Sequence, residues 1–508
     1  MREVSTVYDV PRGTAYFTAQ QIIVYGASFL YYILLFRILN LADIGQISLL
    51  TATMAVFGTL TQLALPVAAT RFISSSFGAQ DPQSAAAVAK ICLRLILTVA
   101  IPTLALASLL SPWIGTFLFN NPNITSLLVT TFTAGFLLDL TTLYGAYFLG
   151  LGLYAQVVYQ NILYVPLSRG LGLVLAHFGL GVLGIPLGWV VGGVATLLLS
   201  LYLWRGRLSQ GSSYPVRPLL SFSLPVLASA LISLSQSWGD IALLQAVLGQ
   251  FQTTGAYYLV VSSVGFLSIL WIPVTGALLP ALSSTHSSKG PEAVSDRLAV
   301  TLRLVNITVL PISASLAAVA PTALELVYGK PLVSESAPFA LLALTVILSA
   351  QGAVLITALQ ALGNTKPLLK IFLASTILDL AIVALAAKTL GTTAGAAGRI
   401  VLAASTLLLA WQSLRTIIHT PISQGIYKAI LLATGTALPL ALADQLMTRT
   451  LIFAPIMRLP VILAIFAGSF LVVSRKLSIF QDQDFEILES ALPSILRRHI
   501  RAFQHLLV

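Results

Sequence analysis

The sequence predicts an all-α polytopic membrane protein with about fourteen transmembrane helices. Its residues are 57% hydrophobic and only 8% charged, whereas a soluble domain carries about 25% charged residues. Apolar segments of about 18–25 residues, each long enough to span hydrocarbon as a helix, recur along the whole chain. Lipid offers no partner to a bare backbone N–H or C=O group, so these segments must be helical.

The predicted spans are separated by short loops that contain the Gly, Pro, Asn and Ser residues typical of turns. No loop is long enough for a folded domain outside the membrane. The tail, 477–508, is predicted to be a cytoplasmic amphipathic segment, with a solvated tail as the alternative. The spans are 14–36, 44–66, 88–110, 126–148, 157–177, 180–204, 219–246, 255–280, 299–320, 336–361, 368–389, 392–414, 427–446 and 451–474.

The distribution of basic residues predicts the orientation. The net charge of +11 reflects Lys and Arg in loops rather than a nucleic-acid surface, because no basic run is interleaved with aromatic residues. With a cytoplasmic N-terminus, about 20 of the 27 Lys and Arg residues fall on the inner side. We therefore expect a multi-pass protein of the cell membrane with both termini in the cytoplasm. About seven are left for the outer side or the spans, among them Arg37, Lys330, Arg449 and Arg458, and the last outer loop, which holds Arg449, is an exception to the asymmetry.

An internal repeat predicts the domain organisation. Four residue pairs are separated by 209 positions, and a glycine opens the following span in each copy, Gly45 and Gly255. The pairs are Pro82 with Pro291, Arg94 with Arg303, Pro102 with Pro311, and Pro112 with Pro321.

Because one repeat holds six spans, an even number, both copies enter the membrane in the same direction. In transporters, parallel repeats of this kind enclose the substrate path. We expect an N-lobe over 1–210 and a C-lobe over 211–425, facing each other across a cavity, with two extra helices over 426–476.

Several motifs, individually loose but correctly ordered, cover nearly the whole chain. They are Arg37–Gly45, Arg71–Ser75, Pro280–Ser284, Pro311, Leu326–Gly329 and Leu362–Pro367. In this order they resemble the polysaccharide and oligosaccharide-lipid flippases, which share a superfamily with lipid II flippases and with multidrug and toxin extruders. Fourteen spans fit the flippase branches better than the twelve-span extruders.

This resemblance implies movement of a lipid-diphosphate-linked oligosaccharide from the cytoplasmic to the outer leaflet by alternating access, for cell-surface glycan synthesis. It implies a transporter rather than an enzyme, with no bound cofactor or metal, and a proton or sodium gradient is the candidate driving force. No phosphate loop of the type Gly-x-x-x-x-Gly-Lys-Ser/Thr is present. Besides the substrate and membrane lipids, glycan polymerase or oligosaccharyltransferase machinery are candidate partners.

Arginines inside or near spans are the candidate ligands of the diphosphate. An ionisable side chain inside a span costs roughly 2.5–3.5 kcal/mol on insertion scales and usually faces protein or water. Guanidinium groups are suited to paired contacts with phosphate. Arg71 is the candidate for capture and Arg37 for contact after the conformational switch, although both could instead snorkel to lipid headgroups. Arg169 and Arg399 are further candidates.

Three aspartates inside spans are candidates for ion coupling or for pairing with a cavity arginine. Asp240 lies deep in the seventh predicted span, where members of the resembled family often carry an acidic residue. Asp139 and Asp379 lie in spans four and eleven, and Asp379 could pair with Arg399. For each of them a structural hydrogen bond is the alternative.

Three other functions compete with the flippase hypothesis. An extruder of organic cations with the same fold predicts an acidic, aromatic-lined cavity. A membrane glycosyltransferase or polymerase needs acidic residues in a substantial outer loop, yet the outer loop over 111–126 has none. A major-facilitator transporter predicts a charged, glycine-rich loop between spans two and three, which is missing from Phe77–Lys90.

Overall fold

A computed structural model describes residues 10–205, 214–418, 426–450 and 455–479. Within these ranges the chain is helical and forms no strand. The α-helices are α1 (Val10–Ile38), α2 (Leu41–Gln62), α3 (Leu65–Gly78), α4 (Pro82–Leu109), α5 (Ser111–Phe119), α6 (Thr125–Gly150), α7 (Tyr154–Leu175), α8 (Gly184–Trp204), α9 (Val216–Leu248), α10 (Phe251–Gly265), α11 (Ile272–Lys289), α12 (Pro291–Ala318), α13 (Ala320–Tyr328), α14 (Ser336–Ala361), α15 (Lys366–Leu390), α16 (Thr392–Leu414), α17 (Ile426–Thr450) and α18 (Pro455–Lys476).

The helices confirm the predicted membrane protein. Twelve segments of the described chain are long and apolar enough to cross a membrane. One of them, Tyr154–Trp204, contains both α7 and α8, and α1 adds the shorter apolar helix Val24–Ile38. Each predicted span therefore coincides with a helix or with two helices in series. The predicted amphipathic tail lies outside the described residues from 480 onward.

The internal repeat recurs in the helix boundaries. Helices α4 and α12 begin and end 209 residues apart (291 − 82 and 318 − 109). The short helices α5 and α13 keep the same offset (320 − 111 and 328 − 119). A proline at N1 or N2 opens all four helices, where its missing N–H has no intrahelical partner to lose.

The second predicted span is broken in both copies of the repeat. Leu63 and Ala64 adopt φ values of 48° and 54° between α2 and α3, a conformation that is uncommon for residues with a Cβ. In the second copy, a 3-10 segment over Phe266–Leu270 separates α10 from α11. Each helix after the break again has a proline in its first turn. Discontinuous helices of this kind often surround transporter sites, because the break exposes backbone polar groups.

The chain forms two compact units, Met1–Leu259 (unit 1) and Val260–Val508 (unit 2). The predicted lobe boundary near residue 210 follows the repeat instead and stays a prediction. In unit 1, α3, α4 and α6 share an apolar core, and the Tyr147 hydroxyl donates to the Ala89 carbonyl at 2.6 Å. The backbones of α7 and α8 are in close contact at Gly188. A Cβ at this position would overlap the Ser168 carbonyl oxygen, so the absence of a side chain permits the contact.

Two glycines make a reciprocal crossing between α2 and the start of α10, all within unit 1. A Cβ on Gly45 would overlap the carbonyl oxygen of Phe251, and a Cβ on Gly255 would overlap the carbonyl oxygen of Leu41. These are the glycines that open the repeated spans. Each copy of the repeat therefore supplies one glycine to a contact that no larger residue could make.

Helices α17 and α18, which lie outside the repeat, pack in unit 2 on α12 and α13. Apolar clusters join α12 to α17 around Ile307 and Leu432, and join Val319 to Leu440 and Ile462. Arg458 is 3% exposed, and its Nη1 lies 2.9 Å from Glu325 Oε2 on α13. Arg458, which the sequence assigns to the outer side or the spans, therefore forms a buried ion pair.

Asp81, which precedes α4 and lies before the predicted span 88–110, caps the N-terminus of this helix. Asp81 Oδ1 accepts a hydrogen bond from the Ser84 backbone N–H at 3.0 Å. Hydrogen bonds from the Ser84 side chain and backbone lower the pKa of the exposed Asp81 carboxyl below its usual value, because they stabilise the charged form.

Candidate functional site: a cavity in unit 1

The candidate site is a cavity of about 540 Å³ lined by α3, α6, α7 and α8 of unit 1. Besides apolar residues and Gly145, the lining includes eight polar residues: Thr70, Arg71, Thr141, Thr142, Gln160, Asn161, Tyr164 and Thr196. None of the lining residues that the structure describes carries a carboxylate. The cavity therefore combines neutral hydrogen-bonding groups with one permanent positive charge.

Arg71 is exposed, and aromatic rings hold its guanidinium. The guanidinium carbon lies 4.4 Å from the ring centre of Phe222 on α9 and 5.6 Å from that of Phe72. Phe72 also packs edge-to-face on Phe222 and Tyr214. Among the described residues no carboxylate lies within ion-pair distance of Arg71. The stacking restricts the guanidinium plane while leaving its N–H donors open to an anion.

The helix break beside the cavity is fixed by Asp139 on α6. The Thr61 hydroxyl donates to Asp139 Oδ2, and Gln62 Nε2 donates to Oδ1 at 2.8 Å. Thr61 and Gln62 form the last turn of α2, immediately before the left-handed residues Leu63 and Ala64. Asp139 is 1% exposed, so its carboxylate is compensated by these donors and not by solvent. Arg71 lies in the helix after the break, not at the end of a continuous second span.

Gln160 on α7 joins three walls of the cavity. Its Nε2 donates to Ser200 Oγ on α8 at 2.6 Å and to the Thr141 carbonyl on α6 at 3.2 Å. A Cβ on Gly145 would lie 3.0 Å from Gln160 Oε1, so a larger residue there would crowd this amide. The Thr70 hydroxyl donates hydrogen bonds to the carbonyl oxygens of Pro66 on its own helix, at 3.1 Å, and of Ala146 on α6, at 3.2 Å. The polar wall is thus held in place before any ligand arrives.

Arg169 lies outside the lining, in an aromatic cluster of unit 1. Its Nη1 donates to Ser28 Oγ on α1, and its guanidinium carbon is 5.2 Å from the ring centre of Tyr31. Nearby, the hydroxyls of Tyr32 and Tyr258 lie 3.1 Å apart. The guanidinium of Arg169 is therefore engaged by protein groups that tie α7 to α1.

Arg37 and Asp240 occupy different surroundings. Arg37 is exposed in the last turn of α1, where a cation is favoured by the helix dipole. Asp240 on α9 is fully buried, and its Oδ2 accepts a hydrogen bond from the Tyr257 hydroxyl at 2.6 Å. Neither residue lines the described cavity, so their roles at a binding site stay predictions.

Asp379 and Arg399 lie in unit 2, where α15 packs on α16. Asp379 is fully buried, and a Cβ on Gly398 would overlap its Oδ1. Arg399, the next residue, is half-buried. Neither residue shares the cavity of unit 1. Their proposed roles in substrate binding and ion coupling are not tested by this geometry.

Sequence reasoning did not single out Phe222, Gln160 or Tyr164. Phe222 is 151 positions beyond Arg71, so no local pattern joins the two residues (222 − 71). Pro66 was the available signal for the helix break, because proline is favoured in the first turn of a new helix.

Comparison with known proteins settles the family. Residues 10–286, more than half of the 508-residue chain, match the family described as "Polysaccharide biosynthesis protein". The chain belongs to this family. The predicted relationship to the polysaccharide flippases and their superfamily is thereby confirmed. No curated protein matches the sequence.

Solved structures that are similar to this chain show its fold. "Lipid II flippase MurJ, inward closed conformation" is 11% identical with a TM-score of 0.70, and the match covers 90% of this chain and 97% of that one. A multidrug resistance MATE family transporter in an inward-facing conformation is 16% identical with a TM-score of 0.64, covering 77% and 93%.

A third similar structure is a MOP superfamily transporter from Pyrococcus furiosus, described as having a binding pocket of reverse polarity. It is 16% identical with a TM-score of 0.59, covering 80% of this chain and 95% of that one. The all-helical fold predicted from sequence is therefore confirmed, and the chain is a multi-pass membrane protein that shares its fold with these three structures.

Proposed function

We propose that this protein translocates a lipid-diphosphate-linked oligosaccharide from the cytoplasmic to the outer leaflet by alternating access, without catalysing a reaction. One observation carries the proposal: the cavity of unit 1 presents an exposed, ring-braced arginine and no lining carboxylate. A diphosphate is a strong acceptor for guanidinium donors, whereas an organic cation would be repelled.

The neutral part of the cavity suits the rest of such a substrate. Threonine hydroxyls and the amides of Gln160 and Asn161 can exchange hydrogen bonds with sugar hydroxyls. The volume of about 540 Å³ lies within the usual range of ligand pockets, about 300–1,000 Å³, and would hold a headgroup rather than a long glycan. We expect the lipid tail to remain in the bilayer.

The crossing at Gly45 and Gly255 would have to separate during alternating access, on the side that we propose to be outer. In this proposal Arg71 captures the diphosphate, and Arg37, Arg169 and Arg399 act later or hold the path. A proton or sodium gradient acting through Asp240, Asp139 or Asp379 is the proposed energy source. Glycan polymerase or oligosaccharyltransferase machinery are the proposed downstream partners.

The test is leaflet translocation by the purified protein in liposomes. A fluorescent polyprenyl-diphosphate sugar is placed in both leaflets, and the fraction protected from a membrane-impermeant quencher is followed over time. We expect Arg71→Gln to lower the rate at least tenfold, Arg71→Lys to retain part of it, and the exposed Arg94→Gln, outside the cavity lining, to match the wild type.

Two results would reject the proposal. If the wild type does not move the lipid but gradient-driven uptake of an organic cation is measured, the protein is an extruder. If the sugar is transferred or extended on its lipid, the protein is a glycosyltransferase or polymerase. Equal rates for Arg71→Gln and Arg94→Gln would remove Arg71 from the mechanism while leaving the flippase function in place.

A further inference from the structure

A cluster of charged residues lies in unit 2, where α17 and α18 meet α13. Arg458 of α18 and Glu325 of α13 form an ion pair at 2.9 Å, with side chains 4% and 15% exposed. Asp444 of α17 lies beside this pair and is 3% exposed. Among the residues that the structure describes here, two carboxylates therefore share one guanidinium, and their formal charges sum to an excess of one negative charge.

The excess charge belongs to Asp444. In the described part of the chain, Arg458 is bridged to Glu325 at 2.9 Å, and no cation lies within 4 Å of Asp444. Asp444 Oδ1 is buried and has no hydrogen-bond partner. The Thr322 hydroxyl lies near the carboxylate, yet its buried oxygen completes no hydrogen bond.

No other charged group described by the structure faces Asp444. The end of α12 packs against this part of α17 with the apolar residues Ala318 and Val319, and α18 adds Ile462 and Ile465. A buried carboxylate that shares its one compensating charge with a second carboxylate is unfavourable in such surroundings. A proton or a small cation beside the unpartnered oxygens of Asp444 and Thr322 would remove this cost.

We propose that Asp444, Glu325 and Thr322 form a site for one small monovalent cation, a proton or a sodium ion. When bound, the cation neutralises the cluster and stabilises the contact of α17 and α18 with α13. Carboxylate and hydroxyl oxygens are suitable ligands for sodium, and Asp444 alone can hold a proton. This site is separate from the cavity of unit 1, so the proposal does not depend on the flippase function.

The second copy of the repeat is the only one that has this cluster among the described residues. The positions that match Thr322 and Glu325 in α5, 209 residues earlier, are Trp113 and Thr116, and neither is acidic. Trp113 is 77% exposed. The charged groups therefore accompany the added helices, in agreement with a role in anchoring them.

Thermal unfolding of the full-length protein in nanodiscs tests the site. The midpoint is measured by tryptophan fluorescence in choline chloride at alkaline pH, in sodium chloride at the same pH and ionic strength, and in choline chloride at mildly acidic pH. We expect at least one cation to raise the midpoint by about 2 °C or more. A rise with sodium at alkaline pH identifies sodium, and a rise only with acid identifies the proton.

Variants assign the response to the cluster. Asp444→Asn should abolish it, with a midpoint in alkaline choline at least equal to that of the wild type. Glu325→Gln should also abolish it, because Arg458 can then compensate Asp444, and this variant decides the question if Asp444→Asn does not fold. The exposed Asp296→Asn on α12 should respond as the wild type does. An unresponsive wild type, or a full response in either cluster variant, would overturn the proposal.

Discussion

The two copies of the internal repeat share their helix boundaries but differ in the chemistry at the broken helix. In the first copy α3 carries Arg71, and the position 209 residues later in α11 is Pro280. Helices α6 and α14 are offset by 211 residues (336 − 125 and 361 − 150), which places Ala350 opposite Asp139. The first copy therefore has both the cavity arginine and the carboxylate that fixes the break.

The short helices that follow α4 and α12 differ in the opposite sense: here it is the second copy that has the charged residues. In α5, Trp113 and Phe117 are 77% and 86% exposed, as expected for a helix against lipid. In α13, the matching position of Trp113 is Thr322, which is buried under the added helices beside the Glu325–Arg458 pair. The two copies therefore share helix lengths and the position of the helix break, whereas the polar and charged side chains differ and give each copy its own interactions.

The largest expected loss of stability comes from disrupting the Gly45–Gly255 crossing, to which each copy of the repeat contributes one glycine. Gly45→Ala and Gly255→Ala should each lower the free energy of unfolding by about 2–3 kcal/mol, because the added Cβ overlaps a backbone carbonyl and forces α2 and α10 apart. Chemical or thermal unfolding in detergent measures this. Gly170→Ala, which has open space around its Cβ, should leave the stability unchanged or raise it.

The next effect concerns the carboxylate that only the first copy has. Asp139→Ala makes the first break resemble the second and leaves Gln62 without its acceptor. We expect a loss of about 1–3 kcal/mol in unfolding free energy. Ala350→Ser in the second copy should change it by less. Equal losses in both variants would show that Asp139 has no special role at the break.

A smaller effect is expected from the ring that braces Arg71. Phe222→Leu keeps an apolar residue but removes the ring face, worth about 0.5–1 kcal/mol at an exposed site, so the apparent affinity for the proposed lipid-diphosphate substrate should fall about two- to five-fold. Phe222→Trp should restore it. If translocation by Phe222→Leu is unchanged at every substrate concentration, the stacking does not position Arg71.

The smallest effect compares the two caps of the repeated helix. Asp81 caps α4, whereas the residue 209 positions later, before α12, is Gly290. Asp81→Ala should lower the unfolding temperature slightly at neutral pH. Because the folded-state pKa of Asp81 is below its ordinary value, its contribution is present above that ordinary value and is lost as the pH falls through the folded-state pKa. The wild type and the variant should therefore converge in acid.

Much of the fold could be predicted from sequence because lipid leaves few choices. Apolar length alone identifies each span, since a segment without water must satisfy its backbone internally. The repeat of prolines at Pro82 and Pro291 also placed the two copies in register, and the helices begin at those residues. The family could be predicted because motifs that resemble it are spread along the chain in the expected order, and the family match confirmed it.

The site was less predictable because its geometry depends on contacts between distant segments. Sequence could identify Arg71 as a cation inside the membrane region, but only the packing of α9 on α3 brings Phe222 under its guanidinium. Sequence counted Arg458 among the basic residues of the outer side or the spans, but only the folded chain shows that it is buried against Glu325, 133 positions away. Composition and hydrophobic length determine how a chain crosses the membrane, and tertiary packing determines which of its few charges face a ligand and which compensate one another.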